Sequence, residues 1–315
     1  MKIREIATGL MFPEGPVALA DGSVVLVEIA RGTVTRVKPD GTKQVIAEPK
    51  GGPNGLAMGP DETLYVTNNG GFNWHRGSDG SLRPIAQADD YSGGRIETVK
   101  LATGKVERMY DTVAAKAGGA MNTLRGPNDL VMDDHGGFWF TDLGKGRARD
   151  LDRGGVYYAR CDGSAVKEVL YPAMTPNGIG LSPDGKTVYF AETEGARLWA
   201  ADITGPGEIA RREWPYNSGA YQVAQPGGAY ARYDSLKVDA AGHVVVATLI
   251  HGGLTRISPD GTSIVHTPLP DPYVTNLCYG GKNLGTLYVT LSHAGKLIAI
   301  DDWAHPGLKL PHQQV

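Results

Sequence analysis

Six short segments of this chain share one pattern, in which an oxygen-bearing side chain comes just before a small apolar run. The leading residues are Glu14, Asn54, Asn128, Asn177, Asp234 and Asn276. Each segment leads into a second run rich in β-branched or aromatic residues, and most are separated by turns of Asp, Gly or Pro. Such runs and turns predict short antiparallel strands. The chain is therefore expected to repeat one all-β unit.

The spacing of the leading residues indicates the size of the repeated unit. Successive intervals are 40, 74, 49, 57 and 42 residues, by subtraction of their numbers. A unit of about 40 residues with four strands is the size of a propeller blade, and the longer intervals indicate insertions. Six units predict a six-bladed β-propeller that occupies residues 1–315 as a single domain. Strand-like residues 2–10 are expected to join the last blade, and 111–119 could form one short helix.

The composition excludes several classes of protein. Hydrophobic residues make up 41% and charged residues 21%, which is typical of a globular chain. A net charge of −3 offers no basic face for nucleic acid. The sequence shows neither a signal peptide nor an apolar stretch long enough to cross a membrane, so the cytoplasm is the expected compartment. Cys161 and Cys278 are too few for a disulfide framework and are expected to be free thiols.

A propeller would bring the six leading residues together. Its inner strands all run in one direction, so their first residues face the same mouth of the central channel. Two carboxylates and four carboxamides are hard oxygen donors, which suit Ca²⁺, with Mg²⁺ or Mn²⁺ as alternatives. Without a cation, Glu14 and Asp234 would repel each other and one would take up a proton. The alternative for any single position is an ordinary Asn-Gly or Asp-Ser turn.

At this point the chain resembles the SMP-30/gluconolactonase/LRE family, which includes regucalcin-type lactonases. The similarity runs from about residue 12 to 300 and is carried by residues 12–16 (FPEGP), 127–129, 176–178, 234–242, 275–281 and 287–290. The resemblance implies a six-bladed propeller that holds one divalent cation and hydrolyses a sugar lactone or another small lactone. Ca²⁺ is the favoured ion, and Mn²⁺, Zn²⁺, Mg²⁺ or Fe²⁺ are alternatives.

The resemblance also assigns roles to the leading residues. The metal ligands implied are Glu14, Asn177 and Asp234, joined by Asn128, which would contact the substrate as well. Asn54 and Asn276 are expected to orient metal-bound water rather than to bind the ion. Lactonases of the family often carry an arginine two residues before the Asn128 position, whereas Arg125 lies three before it here. Recognition of a sugar acid is therefore left open.

Asp234 is the expected catalytic residue. It would act as a general base towards the attacking water, or as a direct nucleophile, while the cation polarises the lactone carbonyl. Alternatives are a phosphotriesterase-like or other ester hydrolase, an enzyme for a non-hydrolytic step, and a calcium-binding propeller without chemistry. No G-x-S-x-G motif points to a serine nucleophile. The substrate is expected to be a small molecule, and its identity, the physiological metal and the oligomeric state stay open.

Two insertions carry the aromatic residues expected near the channel mouth. Residues 68–93 contain Trp74, His75 and Tyr91, and residues 210–233 contain Trp214, Tyr216, Tyr221 and Tyr230. Both insertions are expected to form lids, although the same aromatics could simply pack the loops onto the propeller. The substrate contacts expected in addition to Asn128 are Trp74, His75, His251 and His293, of which the last two each follow the second strand of a blade. His135 and His243 lie in turn contexts and are expected to face solvent.

Overall fold

The computed structural model describes residues 1–114, 121–212, 219–227 and 230–314. Over these ranges the chain is built from strands, and its only helical segments are two 3₁₀ turns at Pro60–Glu62 and Lys282–Leu284. No helix in the described ranges has the length and apolar character needed to cross a membrane. The prediction of a helix at 111–119 is wrong for its first turn, because β-branched Thr112 and Val113 lie in a strand. Residues 115–119 lie outside the described ranges.

The first part of the chain forms two blades and a separate hairpin. Blade 1 is a meander and blade 2 has the same order, with a hairpin inserted between its second and third strands. The strands are β1 (Ile3–Ala7), β2 (Pro13–Ala18), β3 (Val24–Glu28), β4 (Thr33–Val37), β5 (Lys43–Ala47), β6 (Pro53–Met58), β7 (Thr63–Asn68), β8 (Phe72–Arg76), β9 (Leu82–Gln87), β10 (Arg95–Lys100) and β11 (Val106–Tyr110). Blade 1 is β2-β3-β4-β5, blade 2 is β6-β7-β10-β11, and β8-β9 is the hairpin.

The middle of the chain forms blades 3 and 4, which both carry additional strands. These strands are β12 (Thr112–Ala114), β13 (Met121–Thr123), β14 (Pro127–Met132), β15 (Gly137–Asp142), β16 (Gly154–Arg160), β17 (Val166–Ala173), β18 (Pro176–Leu181), β19 (Thr187–Glu192), β20 (Arg197–Gly205), β21 (Glu208–Ile209) and β22 (Tyr221–Ala224). Blade 3 runs β14-β15-β16-β17-β12-β13 from the centre outward. Blade 4 runs β18-β19-β20, and both β21 and β22 pair with β20.

The last part of the chain completes the ring. Its strands are β23 (Arg232–Val238), β24 (Val244–Leu249), β25 (Gly253–Ile257), β26 (Ile264–Pro268), β27 (Val274–Gly280), β28 (Thr286–Leu291) and β29 (Lys296–Ile300). Blade 5 is β23-β24-β25-β26 and blade 6 is β27-β28-β29-β1. Because β1 pairs antiparallel with β29, with Ile3 opposite Ile300, the first and last strands share one sheet. This arrangement confirms the predicted closure of a six-bladed β-propeller.

The innermost strands contact one another around the channel in the order β2, β6, β14, β18, β23, β27 and back to β2. Hydroxyl groups from the second strands join neighbouring blades there. Thr67 Oγ1 accepts a hydrogen bond from Gly55 N and donates to the carbonyl of Asn128 in the next blade. Thr141 Oγ1 makes the same two kinds of bond, from Asp129 N and to the carbonyl of Asn177. These bonds fix the height at which adjacent inner strands begin.

Glycines beside two of the leading residues allow the inner strands to approach closely. A Cβ on Gly15, where φ is +52°, would lie 2.7 Å from the carbonyl oxygen of Asn54. A Cβ on Gly178 would lie 2.4 Å from Leu236 N in the next blade. Glycine is therefore required by the narrowness of the channel at these positions, and Asn177-Gly178 belongs to a strand and not to a turn.

Candidate metal centre

All six leading residues occupy equivalent places at the start of the inner strands. Each is the second or third residue of its strand, and none exposes more than 7% of its surface. The set is Glu14 in β2, Asn54 in β6, Asn128 in β14, Asn177 in β18, Asp234 in β23 and Asn276 in β27. Because these strands surround one channel and begin at one mouth, all six residues are placed around that mouth.

Direct contacts connect several members of this ring. Asn276 Nδ2 donates to Glu14 Oε2 at 2.7 Å, and Gly15 N donates to the same oxygen at 2.8 Å. Across the channel, Ser235 Oγ donates to Asn177 Oδ1 at 3.4 Å, and Asn177 Nδ2 donates to Thr193 Oγ1 at 3.1 Å. Asn276 therefore orients the Glu14 carboxylate, and the amide of Asn177 is itself held by Ser235 and Thr193.

The two ring carboxylates are held where an uncompensated negative charge is unfavourable. Burial raises the pKa of Glu14 to about 7, against the lowering effect of its hydrogen bond from Asn276. Burial and then the charge of Glu14 raise the pKa of Asp234 well above its ordinary value. Both carboxyl groups bind protons more readily than exposed carboxyl groups do, because they are buried together in one channel. A divalent cation would remove this penalty, and hard oxygen donors are the ligands it needs. The residues present therefore fit the predicted ion.

Two further charged residues of the channel were missed by the sequence reasoning. Lys237 Nζ donates to Asp129 Oδ2 at 3.3 Å, and only 1% of the Asp129 side chain is exposed. The charge of Asp129 raises the pKa of both Glu14 and Asp234, whereas Lys237 lowers that of Glu14. With every group ionised, three carboxylates and one ammonium give the channel a formal charge of −2. The clue in the sequence is a lysine within the otherwise apolar run that follows Asp234.

The hairpin β8–β9 packs beside the segment that precedes Glu14. The ring of Trp74 lies 5.1 Å from that of Phe12 and 5.9 Å from that of Phe72, between ring centroids. Since Phe12 is two residues before Glu14, the contact brings the insertion to the predicted mouth of the channel. His75 is exposed, and strand alternation turns it away from the face that carries Trp74.

A buried lysine of blade 3 forms hydrogen bonds with the segment that leads into this hairpin. Lys145 Nζ donates to the carbonyl oxygens of Gly71 at 2.7 Å and Asn69 at 3.0 Å. It also lies 3.9 Å from the centroid of the Phe72 ring. Burial lowers the pKa of Lys145 to about 7. No motif in the sequence identifies this lysine, because its partners are backbone groups of a distant insertion.

The two other histidines predicted to contact the substrate lie in different places, His293 beside the hairpin and His251 beside the outer strand of blade 5. His293 stacks on Tyr273 with ring centroids 6.3 Å apart, and its Nε2 lies 3.4 Å from Asp79 Oδ2 at the tip of the hairpin. The exposed His251 lies 4.5 Å from His266, between ring centroids, and therefore contacts β26, the outermost strand of its blade. A substrate contact by His251 stays a prediction, but its described neighbour lies far from the inner strands.

The second insertion is described only in part. Trp214 and Tyr216 lie outside the described residues. Tyr221 begins β22, which extends blade 4, and the Arg212 guanidinium lies 4.6 Å from the centroid of its ring. Tyr230 is 68% exposed. Tyr233, the last residue of the insertion, is buried in β23. The described aromatics of this insertion are therefore two sheet residues and one surface residue, and its role as a lid stays a prediction.

Arg125 does not replace the family's usual arginine at the channel. Its side chain is exposed, and its backbone N donates to Asp142 Oδ2 at 2.7 Å. This bond holds the loop that leads into β14. The hydroxyl group of Tyr91 donates to the carbonyl of Arg125 at 2.6 Å, so the hairpin insertion also contacts this loop.

The fold and the ring of oxygen donors define a six-bladed propeller of the kind built around a polar central channel. Comparison with known families gives the assignment: the chain belongs to the SMP-30/Gluconolactonase/LRE-like family, which it matches over residues 12–293. This finding confirms the resemblance seen in the sequence.

Individual relatives are lactonases at modest identity. The chain is 23% identical over 316 aligned residues to gluconolactonase of Zymomonas mobilis, covering 92% of this chain and 79% of that protein. It is 29% identical to 6-deoxy-6-sulfogluconolactonase of Pseudomonas putida, over 57% of this chain and 59% of that protein. Among solved structures, regucalcin of Agrobacterium tumefaciens, described as a calcium-binding protein, superposes with a TM-score of 0.69 at 20% identity, covering 96% and 95% of the two chains.

Proposed function

We propose that the protein is a divalent-cation-dependent lactonase that hydrolyses a sugar lactone or another small lactone. Its relatives include a gluconolactonase and a sulfogluconolactonase, which supports the reaction class. The observation that carries the proposal is the pair Glu14 and Asp234, two buried carboxylates whose pKa values are both raised in one channel. Such a pair is costly for folding unless it binds a cation or performs acid–base chemistry.

Glu14, Asn128, Asn177 and Asp234 would hold the cation. Their carboxylate and amide oxygens suit Ca²⁺, and the calcium-binding regucalcin with the same fold supports this choice. When bound, the cation would supply Lewis-acid polarisation of the lactone carbonyl. Asn276 holds Glu14 in place through its 2.7 Å hydrogen bond, and Asn54 begins the neighbouring inner strand.

Asp234 would take a proton from the attacking water. The pKa of Asp234 is raised in the metal-free channel, and holding a cation would lower this pKa again, so Asp234 would be ionised and able to accept the proton. Asn128, separated from Asp234 by the inner strand of blade 4, would donate its amide hydrogens to the substrate. The ring C–O bond of the lactone then breaks, and the leaving oxygen takes the proton that Asp234 had accepted. The product is a hydroxy carboxylate, and its negative charge beside Asp129 and Glu14 favours its departure.

The hairpin β8–β9 would shape the substrate site. Trp74 and Phe72 present apolar ring faces beside Phe12, and sugar rings pack their C–H faces on such surfaces. His293 follows Ser292, whose hydroxyl donates to the carbonyl of Pro13 at 2.6 Å, and its Nε2 lies 3.4 Å from Asp79 Oδ2, so it would contact a substrate held beneath the tip of the hairpin. His75 and His251 would contact only a substrate that extends beyond it.

The test is a pH-indicator assay of lactone hydrolysis with metal-stripped protein reloaded with Ca²⁺, Mn²⁺, Zn²⁺ or Fe²⁺. The panel holds sugar, aliphatic and aromatic lactones, together with an aryl ester and a phosphotriester. We expect cation-dependent release of acid from at least one sugar lactone, reduced about a hundredfold or more by Asp234→Asn. Asp40→Asn makes the same change in an exposed turn, where Asp40 Oδ1 accepts from Thr42 N at 2.9 Å, and should leave the rate unchanged.

Two outcomes would overturn the proposal. Acid release that is the same with and without added cations would remove the metal from the reaction. A cation-loaded protein that binds one ion at the ring but hydrolyses no member of the panel would favour a calcium-binding propeller without chemistry. Hydrolysis of aryl esters or phosphotriesters in place of lactones would keep the site and change the substrate class.

A further inference from the structure

A second group of metal-ligating side chains lies at the other end of the inner strand that carries Asp234. Asp239 follows the last residue of β23, His243 precedes β24, and His305 belongs to the carboxyl-terminal segment. One potential ligand atom from each of the three lies within 4.8 Å of the others. Asp239 lies five positions after Asp234 along the strand, which corresponds to roughly 16 Å. The group is therefore distinct from the ring of oxygen donors.

The carboxylate of this group is buried and incompletely used. Asp239 is fully buried, and its Oδ1 accepts backbone hydrogen bonds from Ala241 and His243, both at 2.9 Å. Its Oδ2 has no hydrogen-bond partner among the described residues, although His243 Nδ1 lies 3.3 Å away. A buried carboxylate oxygen without a donor is unusual in a folded protein. This free oxygen is directed to the side where the two imidazoles lie.

The two histidines are placed to share one ion with that oxygen. Their rings are nearly parallel, at 7°, with centroids 5.3 Å apart, and both side chains are partly exposed. Sequence reasoning expects His243 to face solvent, yet 78% of its side chain is covered, since 22% is exposed. Blade 3 provides an internal comparison: in the same kind of turn, Asp133 Oδ1 accepts from the backbone of His135 and Gly137, and Asp133 Oδ2 also has no partner among the described residues. The unpaired oxygen therefore belongs to the turn, and the two imidazoles distinguish Asp239 from Asp133. The pair of imidazoles around Asp239 is therefore additional to what the turn requires.

We propose that Asp239, His243 and His305 form a second metal site for a borderline transition-metal ion of the Zn²⁺ type. Two imidazole nitrogens and one carboxylate oxygen are the donor set that such ions prefer over Ca²⁺. Partial exposure of both histidines leaves room for a water as a fourth ligand. One carboxylate and two neutral imidazoles also balance part of the charge of a divalent ion without burying an excess of negative charge.

The site would fasten the carboxyl-terminal segment across the channel mouth opposite Glu14. Backbone bonds already hold this segment beside Asp239: Ala240 N donates to the carbonyl of Pro306 at 2.9 Å, and Leu308 N donates to that of Val238 at 3.1 Å. Beyond them, Leu308, Leu310, Pro311 and Gln313 cover an apolar cavity. The ends of the six inner strands line its wall at Ala18, Met58, Met132, Leu181, Val238 and Tyr279. An ion that joins His305 to Asp239 would therefore stabilise the closed end of the channel.

The first test is Zn²⁺ binding by isothermal titration to protein whose oxygen ring is already saturated with Ca²⁺. The titration is run at about pH 7.5, because Zn²⁺ binds the deprotonated form of an imidazole. We expect one equivalent of Zn²⁺, and a visible absorption spectrum of low symmetry when Co²⁺ replaces it. His305→Ala and Asp239→Asn should each weaken binding by tenfold or more. Asp234→Asn changes the ring only and should leave this Zn²⁺ equivalent intact.

Matched controls keep the result specific. His312→Asn removes an exposed histidine of the same terminal segment, and Asp133→Asn alters the corresponding turn of blade 3. Neither should change the stoichiometry or the affinity for Zn²⁺. If His305→Ala, shown to be folded by circular dichroism, binds Zn²⁺ as the wild type does, the site is not the one proposed. Loss of binding in His312→Asn would overturn the assignment in the same way.

The second test measures how firmly the terminal segment is held. Lys309 is exposed, so trypsin can cleave after it when the segment detaches. Zn²⁺ should slow this cleavage severalfold in the wild type and in His312→Asn, and should have no effect on it in His305→Ala. Equal protection of His305→Ala would show that the segment is held by another interaction, and no protection of the wild type would refute the fastening role.

Discussion

Removing the negative charge of Glu14 should stabilise the metal-free protein at alkaline pH. Burial raises the pKa of Glu14 to about 7, from an ordinary value of 4.5. Glu14→Gln keeps the shape of the side chain and an oxygen that can accept from Asn276 Nδ2, now 2.7 Å from the carboxylate. The substitution therefore removes the charge, and it also relieves the repulsion that Glu14 exerts on Asp234.

The sign and the size of the effect follow from proton linkage. Between about pH 4.5 and 7 the folded protein holds a proton on Glu14 that the unfolded chain has lost. Stability of the wild type therefore falls as the pH rises through this window and stays low above it. A tenfold change in acidity is worth about 1.4 kcal/mol, so the penalty is about 0.8 kcal/mol at pH 5 and about 3 kcal/mol at pH 8. Glu14→Gln also removes the repulsion between Glu14 and Asp234, which stabilises the variant further.

Urea unfolding in the presence of a chelator measures this difference. The free energy of unfolding is compared for wild type and Glu14→Gln at several pH values from about 5 to 8. All groups outside the channel titrate alike in the two proteins. The difference between the two curves of unfolding free energy against pH therefore reports the channel carboxylates alone. We expect the variant to gain about 2 to 3 kcal/mol over the wild type between the ends of this range.

Added Ca²⁺ should reverse the order of the two proteins. An ion at 1,000 times its dissociation constant stabilises the folded wild type by about 4.1 kcal/mol, which exceeds the penalty of about 3 kcal/mol at pH 8, and the variant binds the ion less well. Parallel stability curves for wild type and Glu14→Gln from pH 5 to 8 would refute the reasoning, because Glu14 would then have an ordinary pKa. A variant that binds Ca²⁺ as tightly as the wild type would remove Glu14 from the metal site.

Two further substitutions test the residues that support the centre. Lys237→Met should lower the free energy of unfolding by about 3 to 5 kcal/mol, because it leaves Asp129 buried without its cation; adding Asp129→Asn to it should restore most of the loss. Urea unfolding of the single and double variants decides the point, and additive losses would contradict it. Lys145→Met removes the bonds to Gly71 and Asn69, so amide hydrogen exchange in β8–β9 should accelerate while the inner strands stay protected. Unchanged exchange in the hairpin would show that its aromatic contacts suffice.

The number of blades and the ring of oxygens could be predicted because both depend on local chemistry repeated along the chain. Turn residues mark the strand ends, and each leading residue starts an inner strand at the same height. The closure by β1 was also predictable, since an unpaired strand at the amino terminus needs a partner. These features can be predicted without knowing which blades face each other across the channel.

The Asp129–Lys237 pair could not be predicted in this way. Simple alternation would point Asn128 and Asp129 to opposite faces of β14, but the register shifts between Pro127 and Leu130 in its pairing with β15. This irregularity allows two consecutive residues to be buried at the channel, at 6% and 1% exposure. Pairing with Lys237 then depends on contacts between blades 3 and 5, which are 108 residues apart in the sequence.

Two features allow the ion and the substrate to enter the channel from one end only. They are the negative charges near one mouth and the carboxyl-terminal segment that covers the other. Glu14, Asp234 and Asp129 place the negative charge near one mouth, whereas the other end is lined by apolar side chains and covered by the carboxyl-terminal segment. A hydrated cation would pay a large desolvation cost on the apolar route, so both the ion and a polar substrate should enter beside Phe12 and the hairpin β8–β9. The aromatic hairpin is therefore positioned where it can select the substrate. The carboxyl-terminal segment lies at the other end, where it only keeps the apolar end of the channel closed. Exchanging the hairpin should change which lactones are hydrolysed, while deleting the terminal segment should change stability before it changes specificity.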